Sequence, residues 1–265
     1  MEIRTVGCVG FGVMGETLVK GIRRAFPEVR LMVVEKVGER VQRACEEYGA
    51  EDTTATPARV FTEADLVILA VKPQDREALK GMAPDATRAA IFSIIAGTPI
   101  RFFEETFGTR EIVRVMPNIA AMVQKAPMGM SFHPLASEGT RTQALAVARA
   151  VGTPFEIPER LMPAFTGLSG SGIAYVLSFL HGMALAGTMT GIPYTESLRI
   201  VEALVEGTVA LRRETDRHPE EMLTWVTSPA GTTIQGVHTL ERGGFKALLM
   251  DAVKRAADRA QEFEG

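Results

Sequence analysis

The chain is poor in residues that staple, anchor or address a protein. Its 265 residues include only two cysteines, Cys8 and Cys45. No metal-ligand or redox spacing joins them, so neither a disulfide scaffold nor a metal site is expected, and both thiols read as buried small hydrophobes in a reducing compartment. An excess of one charge is also missing. Lys and Arg number 29 against 32 Asp and Glu, a formal net charge of −3, which gives no basis for a nucleic-acid partner or for an anionic membrane surface. The first residues, MEIRTVGCVGFG, show none of the basic, apolar and small-residue segments of a signal peptide, and a cytoplasmic location is the expectation. No Asp, Glu, Lys or Arg occurs between Arg160 and Glu196. That stretch is expected to be largely buried. Gly167, Gly170, Gly172, His181, Gly182, Gly187 and Pro193 interrupt it, so no strongly apolar window of membrane-spanning length is expected and no membrane insertion. A helix apolar on all sides in a small domain needs more cover than that domain supplies, which points to a homodimer. His181 reads there as a satisfied core or interface histidine.

What the chain does carry begins at its N-terminus. Ile3 to Val9 reads as a short strand, and Gly10-Phe11-Gly12-Val13-Met14-Gly15 follows at once, leading into an amphipathic stretch that ends at Phe26. This is GxGxxG between strand and helix, the context in which it binds a dinucleotide. The first glycine permits a tight turn, the second lets the backbone approach a pyrophosphate, and the third lets the helix pack closely on the strand. A second apolar run, Leu31 to Val34, ends in Glu35, twenty residues after Gly15, where an acid can accept from the adenosine ribose hydroxyls. A carboxylate there repels a 2′-phosphate, so NADH is favoured, with Lys36 and Arg40 close enough in sequence to soften the repulsion. An unliganded glycine-rich turn is the structural alternative.

The chain divides near Pro158. Before it, apolar runs of strand length at Leu66 to Val71, Ala90 to Ile95, Ile112 to Met116 and Met128 to Phe132 alternate with helical segments, the pattern of parallel strands covered on both faces. The first domain, 1–157, is therefore expected to be a doubly wound α/β sheet. After Pro158 no strand pattern appears, whereas Ser197 to Arg213 and Phe245 to Phe263 have helical period, so 158–265 should be all helical.

Near the end of the chain, VTSPAGTTIQGVHTLERGGF joins a small-residue loop to a helix start. Pro229 fixes φ, Ala230 and Gly231 leave the backbone bare, and Thr232 and Thr233 place hydroxyls where a helix directs its unpaired N–H groups outward. Such a turn suits a small carboxylate, and it serves equally as a plain helix cap.

The combination of VGCVGFGVMG, LVILAVKPQ, SIIAG, RVMPN, TGLSGSGIAYV and the C-terminal VTSPAGTTIQGVHTLERGGF, in that order, closely resembles pyrroline-5-carboxylate reductase over essentially the whole chain. The resemblance implies a Rossmann domain followed by a helical dimerisation and substrate domain, higher assembly from dimers, and reduction of 1-pyrroline-5-carboxylate to proline by NAD(P)H. By matching position, Gly10, Phe11, Gly12, Val13, Met14, Gly15, Glu35, Ala70, Val71, Lys72, Pro73, Ala96 and Gly97 would line the dinucleotide, and Asn118 would reach the nicotinamide carboxamide. Lys72 is either an anion partner or a residue that shapes the loop with Pro73, and Asn118 is also a common turn residue. Ser228, Gly231, Thr232 and Thr233 would hold the substrate, Thr233 by a hydrogen bond to the ring nitrogen. Ser169 and Ser171 would sit near the same cleft. No charged catalytic acid is required, because a protonated cyclic imine is already electrophilic at carbon.

Several positions depart from the family pattern. Ala230 replaces the usual first glycine of the signature, the loop after Asn118 lacks the usual Thr-Pro turn, and Leu185 and Met189 stand where many members have Asp and Lys. Trp225, the only tryptophan, lies eight residues before Thr233 and either borders the substrate or packs its own helix. These departures keep two alternatives open: a reductase of another cyclic imino acid, and a non-catalytic dinucleotide-binding paralogue.

Overall fold

A computed structural model of the chain describes residues 3–82, 84 and 87–264. They form two compact units, one of Met1–Gly170 with Arg255–Gly265 and the other of Ser171–Lys254.

The first unit is built on one sheet. Its strands are β1 (Thr5–Val9), β2 (Arg30–Val34), β3 (Glu51–Asp52), β4 (Leu66–Leu69), β5 (Ala90–Ser93), β6 (Ile112–Met116), β7 (Ala126–Phe132) and β8 (Gly152–Glu156), in spatial order β3-β2-β1-β4-β5-β6-β7-β8. Helices α1 (Val13–Ala25), α2 (Gly38–Tyr48), α3 (Ala58–Glu63), α4 (Ile100–Phe107), α5 (Glu138–Val151) and the short α6 (Met162–Phe165) belong to the same unit. Side chains alternate in register: Leu31, Val33, Leu66 and Ile68 join one buried cluster with Leu18 and Ile22 of α1 and Val147 of α5. Met32, Val34, Val67 and Leu69 join the other with Phe61 of α3 and Phe103 of α4. A strand apolar at every position is thereby covered on both faces, as its sequence requires.

The expectation of parallel strands throughout fails at one place. β7 pairs antiparallel to β6, with Val113 opposite Phe132 and Met116 opposite Gly129. The connection between them, 117–125, holds a single 3-10 turn, Ile119–Val123, and the left-handed Gln124 (φ 56°), whereas a parallel crossover needs about a dozen residues or more. β3 and β8 were not legible. β3 has two residues, and β8 is a largely exposed edge strand that contains Pro154, a residue tolerated only at such edges.

The second unit is helical: α7 (Gly172–Met189), α8 (Tyr194–Thr215), α9 (Pro219–Val226), α10 (Thr232–Arg242) and the larger part of α11 (Phe245–Glu262). Val176, Leu177, Leu185 and Met189 of α7 are exposed on the single chain, because five helices in so small a unit leave no second layer to cover an all-apolar helix, the shortage of cover expected from its sequence. An 18-residue window within Glu159–Met189 reaches a mean hydropathy of 1.4. A stretch of spanning length and composition therefore exists, contrary to the sequence expectation, since the glycines that interrupt it are nearly neutral in hydropathy and do not break its helix. Cys8 is buried as expected, whereas Cys45 is only half-buried.

Candidate functional site

The sheet order reverses between β1 and β4, and at the carboxyl ends of these strands lies a cavity of ≈ 520 Å³. Ligands of doubly wound folds bind at that switch point. Val9, Gly10, Gly12, Val34, Glu35, Ala70, Val71 and Lys72 all line it.

Each glycine of the loop has its own reason. Gly10 sits at φ +92°, and a Cβ on it would meet the Ala70 carbonyl oxygen at 2.8 Å, so both conformation and space demand glycine. A Cβ on Gly15 would meet the Gly10 carbonyl oxygen at 2.3 Å. Gly12 is different: a Cβ there would meet only the Arg40 guanidinium, at 3.9 Å. It is the N-cap of α1 and supplies no side-chain cap. The first N–H groups of a helix lack intrahelical partners, and here they follow a bare glycine bordering the cavity, an arrangement that fits a pyrophosphate. Lys36, Arg40 and Lys72 add positive charge to the lining, and Lys36 and Lys72 form no ion pair among the described residues.

Glu35 is buried, and both of its oxygens are engaged. Oε2 accepts from the Phe11 N–H at 2.6 Å and Oε1 from the Val37 N–H at 3.0 Å. The carboxylate therefore braces the glycine loop against the end of β2, a role that sequence reasoning missed. Each oxygen retains a second lone pair for a further donor. Arg40 approaches Oε1 at 3.9 Å, and the Thr54 hydroxyl bonds the Glu35 backbone at 3.2 Å on N–H. Thr54 was not singled out from sequence, and Arg40 only as a charge near Glu35; they reach the cavity through the turn after β3 and the first turn of α2.

The remaining expected cofactor residues do not line that cavity. Phe11 is buried with its ring edge-on to Tyr48, centroids 5.8 Å apart. Val13 is exposed, Met14 packs on the core and Pro73 opens the 3-10 helix Pro73–Gly81. Ala96 and Gly97 follow β5, the strand next to β4, and Arg76 of that 3-10 helix reaches the Gly97 carbonyl at 3.5 Å. Asn118, after β6, is buried. Its Oδ1 accepts from the Ala120 N–H at 3.0 Å, and its Nδ2 donates to the Ser169 carbonyl at 3.1 Å. Ser169 belongs to a π-helical turn, Thr166–Gly170, a distortion common at functional sites.

Beneath the loop, burial pushes the Cys8 thiol up to about 12, with the Glu35 charge adding to the effect. The thiol donates to the Gly10 carbonyl at 3.3 Å and stays neutral at physiological pH, a packing residue rather than a nucleophile.

In the second unit the signature loop is a turn. The Gly231 N–H bonds the Ser228 carbonyl at 3.1 Å, and Ala230 has φ +57°. Proline at the second position with positive φ at the third defines a type II turn, whose third position favours glycine. Gly231 is then the N-cap of α10 without any side-chain cap. Ser228, Thr232 and Thr233 are exposed at that helix start, so no hydroxyl is consumed in capping Gly231 and the helix offers its unpaired N–H groups beside two threonine hydroxyls. Trp225, on α9 ahead of this loop, is 52% exposed on the single chain. His181 Nδ1 lies 3.0 Å from the Tyr194 hydroxyl, so it is partnered, though exposed on the single chain.

Residues 159–263 match the family model described as pyrroline-5-carboxylate reductase dimerisation, and residues 5–97 match the one described as NADP oxidoreductase, coenzyme F420-dependent. The chain is 37% identical to a pyrroline-5-carboxylate reductase of Methanosarcina acetivorans, over 99% of this chain and 98% of the relative. It is 36% identical to that of Aquifex aeolicus, over 97% and 96%. A solved 1-pyrroline-5-carboxylate reductase of Streptococcus pyogenes superposes with a TM-score of 0.86 at 27% identity, over 97% of this chain and 98% of the other.

Proposed function

The chain belongs to the pyrroline-5-carboxylate reductase family, and on that premise we propose that it reduces 1-pyrroline-5-carboxylate to L-proline with NAD(P)H. The observation that carries the reading is the pairing, in one chain of full family length, of a dinucleotide crevice at the sheet's switch point with an uncapped, hydroxyl-flanked helix start suited to a carboxylate. When bound, the dinucleotide supplies a hydride to the C=N carbon.

The chain's own residues bind and orient. Gly10 to Gly15 bend to admit a pyrophosphate at the start of α1, while Ala70, Val71, Lys72 and Pro73, with Ala96, Gly97 and Asn118, form the remaining walls for the dinucleotide. Glu35 accepts from the ribose hydroxyls and favours NADH, because its charge opposes a 2′-phosphate. The N–H groups at Gly231, Thr232 and Thr233, with Ser228, hold the substrate carboxylate, and Trp225 borders that pocket. The Thr233 hydroxyl hydrogen-bonds the ring nitrogen, so that the reacting carbon is held at near-attack distance. Protonation of the imine nitrogen makes the carbon electrophilic, and the proton remains on nitrogen in the product amine, which balances the step. No residue need act as a charged acid.

In the same reading, 1–157 bind the dinucleotide and 158–265 form the dimerisation and substrate region. Two copies associate through the apolar helices of that region, with higher assembly built from dimers, in the cytoplasm. Steady-state kinetics of Thr233→Ala test the site: kcat/KM for the imino acid is expected to fall at least about tenfold with NADH affinity nearly intact. Unchanged kinetics would remove Thr233 from the site.

A further inference from the structure

The last residues of the chain return to the first unit and seat on the loop after β5. Gly97 has φ +64°, and a Cβ on it would lie 2.8 Å from the Phe263 carbonyl oxygen and 3.0 Å from the Phe263 Cβ. The glycine is therefore required twice, by its conformation and by the backbone laid across it. What holds that backbone down is not the burial of an apolar side chain, since the Phe263 ring is 61% exposed under the Arg259 guanidinium. It is charge. Glu264 forms an ion pair with Arg114 of β6, whose side chain is 4% exposed. The same guanidinium reaches Glu159 at 3.2 Å, and the Glu159 oxygen that it touches also accepts from the Ile100 N–H at 2.7 Å.

A buried arginine with two carboxylates is costly to desolvate, and removing one partner leaves the charge under-compensated. Its placement here ties together both ends of one short loop. Ile100, the first residue of α4, is fixed through Glu159, and Gly97 is fixed through Phe263 and Glu264, while Arg76 holds the Gly97 carbonyl from the β4 side. Thr98 between them is fully buried.

We infer that Phe263 and Glu264, anchored by Arg114, are positioning residues for cofactor binding: they hold the Ala96–Gly97 backbone in the shape that receives the nicotinamide half of NAD(P)H. The inference rests on the reading that Ala96 and Gly97 line the dinucleotide. The tail acts through the loop and touches no reacting atom, so its loss weakens the cofactor step and spares the chemistry.

The test uses full-length protein. Glu264→Gln is expected to raise the Kd and the KM for NADH about fivefold, the size of effect found for positioning contacts one layer removed from a ligand, with kcat and the KM for the imino acid little changed. Hydrogen exchange at 96–100 should quicken in the same variant. Glu264→Asp should recover part of the affinity, and Gly97→Ala, which pushes the tail away, should reproduce the Glu264→Gln profile. If exchange at 96–100 quickens while the Kd for NADH is unchanged, the tail is a structural tether and the inference is overturned. A separate arm examines its foundation: NADH should protect the amides of 96–98 in the unaltered protein. Absence of protection there would refute the cofactor role of Ala96 and Gly97, and the inference with it. Protection combined with an unaffected Glu264→Gln would refute the inference alone.

Discussion

At the scale of single residues, two positions turn general features of the fold into specific behaviour. Glu35 braces the glycine loop with both carboxylate oxygens and, in the reading proposed above, also accepts from the ribose and favours NADH. Glu35→Ser is expected to narrow the preference for NADH over NADPH, by lifting the repulsion of a 2′-phosphate while Lys36 and Arg40 remain. Kinetics with both nucleotides give the ratio, and an unaltered ratio would mean that other groups read the ribose. Ala230 occupies the glycine position of a type II turn at φ +57°. Among the described residues, the other two non-glycine residues at positive φ, Gln124 and Asp216, end helices. A left-handed alanine costs about 1–2 kcal/mol, of which glycine's looser unfolded chain takes back about 0.4–1. Ala230→Gly should therefore raise the melting temperature by about 2 °C, read by calorimetry. A fall would show that the turn is unstrained.

At the scale of elements, legibility in the sequence followed the number of faces an element buries. β1, β2 and β4 are apolar at nearly every position, and the glycine loop sits between strand and helix, so the crevice between β1 and β4 was legible at Gly10, Gly12 and Glu35, whereas Ala70, Val71 and Lys72 followed from the family resemblance. β8 was not legible, because an exposed edge strand carries no apolar run. The direction of β7 was set by the shortness of its connection, which periodicity does not report. Glu35 was recognised as the acid after β2, but its two backbone bonds depend on how the Phe11 and Val37 amides converge in space. The Asn118–Ser169 contact spans 51 residues and left no local pattern. α7 was read as needing cover from a second copy because it lacks charge, and on the single chain its apolar side chains do face outward; the sequence pattern reports the need for cover and leaves its source to be tested. If that source is a second copy, Leu177→Glu should shift the protein from dimer to monomer in sedimentation velocity, because a charge in a helix–helix core is left unpaired. A dimer that persists at micromolar concentration would place the interface elsewhere.

At the scale of the whole molecule, the chain matches curated reductases along nearly all of its length at 36–37% identity. The signature loop closes its turn with Ala230 at the third position, and the turn after Asn118 is capped through Oδ1. A six-membered imino acid offered beside the five-membered one measures whether Trp225 influences ring size. The most direct measurement of the central claim is the transfer of deuterium from NADH labelled at the reactive C4 position, with 1-pyrroline-5-carboxylate as acceptor. The account predicts proline carrying one deuterium at the former imine carbon, formed in step with NADH oxidation and faster than any product from the six-membered analogue. Folded protein that binds NADH yet gives no labelled proline would contradict it.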